Sequence, residues 1–330
     1  MGSHLVDHLI RIGHQVYGVD DLSGGYMRNV NPKSIFTKLD LRNTPKTVAL
    51  IVKIKPQLIY HLAADATEGR SQFTPVRATE RNLNASLNIL VGAVKAKTKR
   101  VVMTSSMSVY GDQKPPFSEN IPKKPVDIYG ISKAAMEDAT KVLSQVYGFE
   151  YTIIRPHNVF GPKQNLADPY RNVVAIFINC LMQGKNFYIY GDGQQKRAFS
   201  FIDDVTPYIA NAGFLSKTAG EIINVGPSKE YTINELANEI LSHFVTNLND
   251  IPKHLKPIFV PDRPQEVKMA YSTDTKAKKL LGFKNQTPLK EGVAKMVEWA
   301  KSVGPQKFQY LDKLELTTGS TPTTWKNKLI

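Results

Sequence analysis

The sequence is short of several features, and each shortage excludes a class of protein. Its one cysteine, Cys180, excludes an intramolecular disulfide and a cysteine-based metal site. No segment approaches the roughly 20 consecutive apolar residues of a membrane span, and the first residues lack the charged and apolar regions of a signal peptide. Tandem repeats and low-complexity tracts are also missing. We therefore expect a cytoplasmic globular protein with no metal site and no membrane partner.

The charge of the chain is strongly of one sign. A net charge of +14 arises from 43 Lys and Arg against 29 Asp and Glu, and such a balance can indicate a nucleic-acid partner. The lysines are scattered over the polar faces of amphipathic segments, however, with no stacking aromatics among them. We interpret them as a solvated surface and expect no nucleic-acid partner, and a polyanion partner stays open as the alternative. A basic field would also suit a small substrate with two phosphates.

Short apolar runs alternate with helical patterns through the first half of the chain. The strand-like runs are 14–20, 34–40, 57–64, 99–106 and 150–156, and the helix-like segments are near 43–53, 76–97 and 129–147. This alternation is typical of parallel βαβ units, so we predict an α/β fold with a doubly wound parallel sheet in a domain at 1–155. A looser pattern over 156–330 predicts a smaller substrate lobe, interleaved with the first domain, with helices near 171–184, 203–214, 232–245 and 288–301.

A doubly wound sheet binds its ligands at the carboxyl ends of its strands. Asp20 ends one of the strand-like runs, about where a carboxylate accepts hydrogen bonds from an adenosine ribose. Because Asp20 and Asp21 would repel a 2′-phosphate, they favour NAD over NADP, but Arg28 is close enough in sequence to keep NADP open. The plainer alternative is that both aspartates only cap the turn before Gly24 and Gly25.

The glycine-rich loop that should precede this carboxylate is nearly absent. Gly2 fits its third glycine, where a missing side chain lets helix and strand pack closely. The two glycines that would cradle a pyrophosphate lie upstream of Met1, and the first strand of the sheet would be missing with them. We expect the natural chain to start earlier. The alternative is a protein that begins at Met1 and binds a dinucleotide weakly.

Tyr129 and Lys133 lie four residues apart in an amphipathic helical segment, so both project from one face. A tyrosine can shuttle a proton when its pKa falls from about 10 towards neutrality, which a nearby ammonium promotes by stabilising the phenolate. A second Tyr and Lys pair at this spacing, in YGDQKPPF, is followed by two prolines that prevent a helix. Ser106, after an apolar run, would add a hydrogen bond to a sugar hydroxyl or carbonyl, although a serine there can be a simple turn residue.

The segments that carry a family resemblance run from Gly2 to about Leu281. They are GSHL, VDDLSGG, YHLAA, ERNLNASLNIL, SSMSVYG, YGISK, RPHNVFGP, YGDGQQKRAFSFIDDV and DRPQEV. With them the chain resembles the NAD-dependent epimerase/dehydratase family of extended short-chain dehydrogenase/reductases, and within it most resembles the UDP-glucose 4-epimerase group. It departs from that pattern in the missing glycine-rich strand, and in Ala66 and Thr67, where many epimerases have a lysine.

The resemblance implies a Rossmann-like fold, NAD as the cofactor, a nucleotide sugar as the substrate and a homodimer built on the helices near 76–97 and 129–147. The implied catalytic residues are Ser106, Tyr129 and Lys133. The implied cofactor-binding residues are these three with Gly2, Asp20, Asp21, Leu22, Ser23, Gly24, Asp40, Leu41, Leu62, Ala63, Ala64, Asn82 and His157. The implied substrate-binding residues are Ser106, Tyr129, Asn158, Asn172, Val173, Tyr188, Ile189, Tyr190, Arg197, Arg263, Glu266 and Ala270, of which the last would leave space for an N-acetyl group.

The reaction that the resemblance implies is inversion at C4 of a UDP-hexose, such as UDP-glucose, UDP-galactose or an N-acetyl form, through a 4-keto sugar. Dehydratases and decarboxylases of the family need a further acid or base beside the serine strand, where this chain has Met107 and Ser108. We therefore expect neither of those activities, decarboxylation being excluded less firmly. Epimerisation at C2, epimerisation at C3 and C5 of a GDP-sugar, and epimerisation of a CDP-sugar stay open. A catalytically impaired relative that only binds NAD and a nucleotide sugar also stays open.

Overall fold

Strands and helices alternate through the first half, as the apolar pattern predicts. The computed structural model describes residues 1–330. Its strands are β1 Tyr17–Asp20, β2 Ile35–Lys38, β3 Leu58–His61, β4 Arg100–Thr104, β5 Glu150–Pro156, β6 Val159–Phe160, β7 Phe187–Tyr190, β8 Lys196–Arg197, β9 Ser200–Phe201, β10 Glu221–Val225, β11 Tyr231–Thr232, β12 Pro257–Val260 and β13 Met269–Ala270. Its α-helices are α1 Gly2–Arg11, α2 Thr44–Ile54, α3 Glu68–Ser71, α4 Pro75–Thr79, α5 Ala85–Ala96, α6 Ile128–Tyr147, α7 Val173–Met182, α8 Thr206–Phe214, α9 Ile233–Leu241, α10 Thr275–Leu281, α11 Leu289–Val303 and α12 Thr323–Lys326.

A four-stranded parallel sheet in the order β10-β5-β4-β3 forms the centre of the molecule. Alternate residues of its strands pack on opposite faces. Val102 and Ile154 belong to one core cluster with residues of α1, α8 and α10, whereas Met103 and Ile153 belong to another with residues of α5 and α6. Helices therefore cover both faces, which confirms the predicted doubly wound α/β fold. Because β10 comes from the second half of the chain, the two halves share this sheet, and the boundary at residue 155 stays a prediction.

Strands β1 and β2 form a separate parallel pair, in which Asp20 is opposite Lys38. No strand is hydrogen-bonded both to this pair and to the four-stranded sheet. The helix α1 still buries Leu5 and Leu9 against the central sheet, so the β1 end of the molecule is held by helix packing. Asp20 is the last residue of β1, and Asp21 follows it. They lie on the same side of the molecule as the carboxyl ends of the central parallel strands.

The second half builds its own core around α7, α9 and α11, which bury residues such as Phe177, Leu236 and Met296. Short strand pairs surround this core, among them β8, which lies between β11 and β13. The pairing of β8 with β13 places Arg197 beside the loop that carries Arg263 and Glu266. No helix of the structure is long and apolar enough to cross a lipid bilayer.

Candidate active site

A cavity of about 1600 Å³ extends from the carboxyl ends of the strands into the second lobe. Pockets for one small ligand commonly measure about 300–1000 Å³, so this cavity has room for two. Its wall includes most of the residues that the resemblance implies, from Asp20 on the β1 side to Arg263 on the second lobe. The location agrees with the rule that doubly wound sheets bind ligands at their carboxyl edge.

The long helix α6 positions Tyr129 and Lys133 on the cavity wall. The side chain of Asp127 caps its first turn by accepting a hydrogen bond from the Gly130 amide at 2.7 Å. The Lys133 Nζ donates to the Thr104 carbonyl oxygen at 2.8 Å and lies 5.8 Å from the centre of the Tyr129 ring. Both side chains are buried, and they share one helix face as their spacing predicts.

A buried ion pair holds α6 against the sheet one turn beyond Lys133. Arg155 of β5 donates from Nε to Glu137 Oε1 at 2.8 Å and from Nη2 to Glu137 Oε2 at 2.6 Å. Its Nη1 also donates to the Tyr110 hydroxyl, which in turn donates to Asn224 Oδ1. Because this bidentate pair is fully buried and hydrogen-bonded, loss of either partner would leave an uncompensated charge.

Burial sets the pKa values on this helix face. It lowers the pKa of Lys133 to about 8, because removal from water disfavours the ammonium form. It also raises the pKa of Tyr129 well above its ordinary value, with the negative charge of Glu68 adding to the rise and a hydrogen bond to Ser106 opposing it. Burial and Glu68 thus oppose the fall in pKa that a nearby ammonium promotes, and the proton-shuttle role of Tyr129 stays a prediction.

Two serines and a carboxylate stand opposite Tyr129. Ser106 Oγ is 3.2 Å from Ser108 Oγ and accepts a hydrogen bond from the Ser108 amide at 3.1 Å. Ser108 Oγ in turn donates to Glu68 Oε1 at 2.5 Å. Glu68 opens α3, just after β3, and lines the same cavity. Hydroxyls, a phenol, an ammonium and a carboxylate thus face one space.

The aspartates on the β1 side form local turns. Asp20 Oδ1 accepts from the Leu22 amide at 2.6 Å, and Asp21 Oδ1 accepts from the Ser23 amide at 2.8 Å. Arg81 of the α4–α5 connection also donates to Asp21 Oδ2 at 2.9 Å. The turn interpretation is thus compatible with the ribose-binding one, since the outer oxygen of Asp20 has no partner inside the protein. Gly24, Asp40, Leu41, Leu62, Ala63 and Ala64 complete this part of the wall.

The residues present fit a dinucleotide along this edge. Besides the carboxylates, two buried hydroxyls at the end of β4, Thr104 Oγ1 and Ser105 Oγ, have no hydrogen-bond partner, and both residues line the cavity. Buried polar atoms of this kind normally find a partner. Gly2 also lines the cavity, but a Cβ there would meet no atom within 4 Å, so the close packing expected at this glycine is not found.

Three of the implied residues do not reach the cavity, and each has a structural role instead. His157 is fully buried and bonded to Ser272 Oγ at 2.6 Å, and burial lowers its pKa to about 4, so it is neutral. Asn82 is buried and bonded to the Asp65 amide and carbonyl, so it shapes the loop after β3. Ala270 pairs with Arg197 in the sheet and packs beside Tyr110 and its neighbours. Ligand contact at these three residues stays a prediction, since none of them lines the cavity.

A charged cluster forms the far wall of the cavity. Glu266 accepts from Arg197 Nη2 at 3.1 Å through one oxygen and pairs with Arg263 Nη2 at 2.7 Å through the other. Burial tends to raise the pKa of Glu266, but Arg263 and then Arg197 outweigh it and hold that pKa below its ordinary value. The guanidinium of Arg263 also stacks on the Tyr190 ring, 4.7 Å from its centre. We call Arg197, Arg263 and Glu266 the arginine clamp.

The remaining implied substrate residues line the cavity beside the arginine clamp; they are Asn158, Asn172, Val173, Tyr188, Ile189 and Tyr190. Asn158 and Asn172 both have positive φ, at 28° and 58°, a conformation that few residues other than glycine adopt. Their side-chain amides donate to the carbonyl oxygens of Ala198 and Val159. The amide nitrogens are thus occupied by the backbone, and the amide oxygens remain available to a ligand.

The C-terminal tail, residues 307–330, adds a part of the wall that the sequence did not indicate. Trp325 of α12 lies 6.4 Å from Tyr190 and 5.5 Å from Tyr170, measured between ring centres. Glu315 anchors the tail by accepting from the amides of Val76 and Arg77. The tail therefore packs both against the first lobe and against Tyr190, the tyrosine on which Arg263 stacks.

Glu68 and Asp127 are the site residues that sequence reasoning missed. Burial, and then the charge of Glu68, raise the pKa of Asp127 to about 7. A sequence signal existed for Asp127, because an aspartate directly before an amphipathic helix is typical of a helix cap. None existed for Glu68, since its contact with Ser108 joins residues 40 positions apart.

Comparison with known proteins agrees with this geometry. Residues 1–226 match the model of the NAD dependent epimerase/dehydratase family. A UDP-glucose 4-epimerase of Mycolicibacterium smegmatis is 34% identical over 311 residues, with 92% of this chain and 96% of the relative covered. A UDP-N-acetyl-alpha-D-glucosaminuronate decarboxylase of Bacillus cytotoxicus is 28% identical over 323 residues, covering 92% and 95%.

Among solved structures, UDP-glucose 4-epimerase from Thermotoga maritima with UDP-glucose superposes with a TM-score of 0.81 at 30% identity. The match covers 92% of this chain and 96% of the other. Epimerases and a decarboxylase are both similar to this chain over nearly its full length. The similarity therefore identifies the family but does not identify the individual reaction. The chain belongs to the NAD-dependent epimerase/dehydratase family of sugar-nucleotide enzymes, and NAD is its cofactor.

Proposed function

We propose that this protein is an NAD-dependent epimerase that inverts C4 of a UDP-hexose, either UDP-glucose and UDP-galactose or their N-acetyl forms. The observation that carries the proposal is the buried pair of Tyr129 and Lys133, which faces Ser106 in the same cavity as the arginine clamp. The similarity to UDP-glucose 4-epimerases along most of the chain supports it. Inversion of a GDP- or CDP-sugar is the nearest alternative within the same chemistry.

The residues of α6 and β4 handle the proton of the sugar hydroxyl. Tyr129 accepts the O4 proton, and Ser106 donates a hydrogen bond to the same oxygen, where negative charge develops as the carbonyl forms. Lys133, held by the Thr104 carbonyl, keeps a positive charge near the phenol. When bound, NAD supplies a hydride acceptor and donor for C4 and a positive charge that favours the phenolate. Proton return from Tyr129 completes a redox-neutral cycle.

The arginine clamp is suited to hold the diphosphate while the sugar turns. Its two guanidiniums and one carboxylate leave a single net positive charge, and planar guanidiniums bind phosphate oxygens in bidentate fashion. Glu266 pairs with both arginines and so fixes their direction. Firm binding of the nucleotide would keep a 4-keto sugar in the cavity between the two hydride transfers.

Product analysis tests the proposal. The protein is incubated with NAD and, separately, with UDP-glucose, UDP-N-acetylglucosamine and GDP-mannose, and the sugars are identified by NMR. We expect a C4 epimer from a UDP-sugar. Turnover of GDP-mannose alone would mean that the substrate is a GDP-sugar and not a UDP-sugar. Tight binding of a UDP-sugar with no product would favour a protein that only binds its ligands.

We also propose a homodimer and a cytoplasmic location. Exposed apolar residues on α5 and α6, namely Val91, Ile131, Val142 and Val146, lie on the helices expected to form the interface. The single cysteine is buried and unpaired, as suits a reducing compartment. Light scattering coupled to gel filtration measures the mass of the particle, and a monomer would contradict the first of these proposals.

A further inference from the structure

Glu68 places a carboxylate beside the serines that follow β4, where the neighbouring residues in sequence include no acid. The strand end after β4 has Met107 and Ser108, neither of which can move a proton to or from carbon. In the folded protein, Glu68 reaches that position from a different strand end and accepts a hydrogen bond from Ser108 Oγ at 2.5 Å. Ser108 Oγ is itself 3.2 Å from Ser106 Oγ. A chain of polar groups therefore links the carboxylate to the serine that faces Tyr129.

Glu68 lies in the first turn of α3, but its side chain has few partners inside the protein. It forms no salt bridge, and the only hydrogen bond that its side chain makes is the one to Ser108. It is exposed to the cavity, and its charge acts on groups of both the catalytic helix and the arginine clamp, since it raises the pKa of Tyr129 and contributes to those of Arg197 and Arg263. A carboxylate between the catalytic helix and the arginine clamp would face the sugar ring of a bound nucleotide sugar.

The proposed function creates a use for such a base. Oxidation of C4 to a ketone acidifies the hydrogens on the two neighbouring ring carbons, C3 and C5. A carboxylate can then take one of these protons: the C–H electron pair forms the C=C bond of an enolate, and the ketone oxygen takes the negative charge. Hydrogen bonds from Ser106 and Tyr129 would stabilise that oxygen. Return of the proton restores the ketone, with no oxidant or reductant beyond NAD.

We propose that Glu68 is a catalytic residue that exchanges a proton with a ring carbon next to the 4-keto group. This inference rests on the proposed function, because it needs the 4-keto sugar. It gives the protein a carbon-acid activity beyond C4 inversion, and it supplies the acid or base beside the serines that the sequence did not predict. Proton return to the opposite face would invert C3 or C5.

Solvent deuterium distinguishes this activity from simple C4 inversion. In C4 inversion the hydride returns to carbon without meeting water, so no carbon acquires deuterium in heavy water. We expect the wild-type protein with NAD and its UDP-sugar to incorporate deuterium at C3 or C5, detected by NMR and mass spectrometry. Glu68→Gln should lower that incorporation at least about 100-fold.

Two controls bracket the result. Ser108→Ala removes the hydrogen bond to Glu68 together with the contact to Ser106 Oγ, keeps the carboxylate, and should slow deuterium incorporation about tenfold. Glu291→Gln, on the exposed face of α11, loses the same charge far from the site and should change nothing. Turnover of a UDP-sugar without deuterium on carbon, or incorporation that survives Glu68→Gln, would overturn the proposal.

A synthetic UDP-4-keto-hexose separates this inference from the proposed function. Supplied in heavy water, it needs no oxidation step, so exchange at C3 or C5 reports on Glu68 directly. Exchange without any oxidation of UDP-sugars would mean that the proposed function is wrong and the role of Glu68 right. Absence of exchange in a protein that epimerises UDP-sugars would mean the reverse.

Discussion

The catalytic helix and the arginine clamp both bury charge, but they balance it differently. On α6, each buried charge has a partner from the protein: Lys133 has the Thr104 carbonyl, and Glu137 has Arg155. In the clamp, one carboxylate serves two guanidiniums, so a positive charge remains. The first region is therefore paired within the protein, whereas the second keeps a positive charge that an anionic diphosphate would balance under the proposed function.

The largest expected effect comes from breaking the helix side alone. Tyr129→Phe removes one hydroxyl from a buried side chain, and we expect turnover to fall about 10³-fold, within the range of 10²–10⁴ for a general acid or base. The affinity for UDP should stay within about twofold, since the clamp is untouched. NMR of products and titration calorimetry measure the two quantities. Near-normal turnover would contradict the assigned role of the phenol.

Breaking the clamp should reverse that pattern. Arg263→Ala removes one of the two guanidiniums and its stacking on Tyr190, so the Kd for UDP should rise about 10- to 100-fold, from about 1.5–3 kcal/mol per charged hydrogen-bond donor. Arg263→Lys keeps the charge but not the planar pair of hydrogen-bond donors, so its Kd for UDP should lie between those of the wild type and Arg263→Ala. Titration calorimetry at two salt concentrations checks both variants, and an unchanged Kd in Arg263→Ala would remove the clamp from the site.

A pH series sharpens the comparison, because only the helix side titrates near neutrality. Between its ordinary pKa of 3.8 and about 7, Asp127 keeps a proton in the folded protein that the unfolded chain releases. The free energy of unfolding should therefore fall as the pH rises through this window, by up to about 1.4 kcal/mol per pH unit. Asp127→Asn keeps the cap and cannot ionise, so denaturant unfolding from about pH 4 to about pH 8 should show a flatter curve. Identical curves for variant and wild type would contradict this prediction.

The smallest effect is expected on the cofactor edge. Asp20→Asn keeps an oxygen for the Leu22 amide but loses the charge, and the Kd for NAD should rise about two- to tenfold, as for one hydrogen bond of about 0.5–1.5 kcal/mol. Asp312→Asn, on the exposed tail, is the matched control. Fluorescence titration with reduced cofactor measures both, and equal affinities for Asp20→Asn and wild type would leave Asp20 a turn residue.

Much of the fold was predictable, because its signals are local. The helix predicted near 129–147 is observed at Ile128–Tyr147, and the strand-like run 150–156 is observed as Glu150–Pro156. Apolar periodicity and helix caps set such elements within one stretch of chain. The place of β10 in the central sheet could not be predicted in this way, since β10 pairs with a strand about 70 residues earlier.

The place of a residue on the cavity wall was predictable where residues follow strands or share a helix face, as Asp20, Ser106 and Tyr129 do. It was not predictable where packing decides the direction of a side chain. His157 follows β5 as expected, yet it turns into the core to meet Ser272. Glu68 shows the opposite case, because the short helix α3, which the sequence did not predict, brings its carboxylate to Ser108.

The packing of Trp325 against Tyr190 has a practical consequence. The chain contains two tryptophans, and only this one lies on the cavity wall. Its intrinsic emission can serve as an optical reporter of ligand arrival without any attached dye. A Trp299→Phe background would silence the other indole and leave a single-emitter protein for stopped-flow measurements.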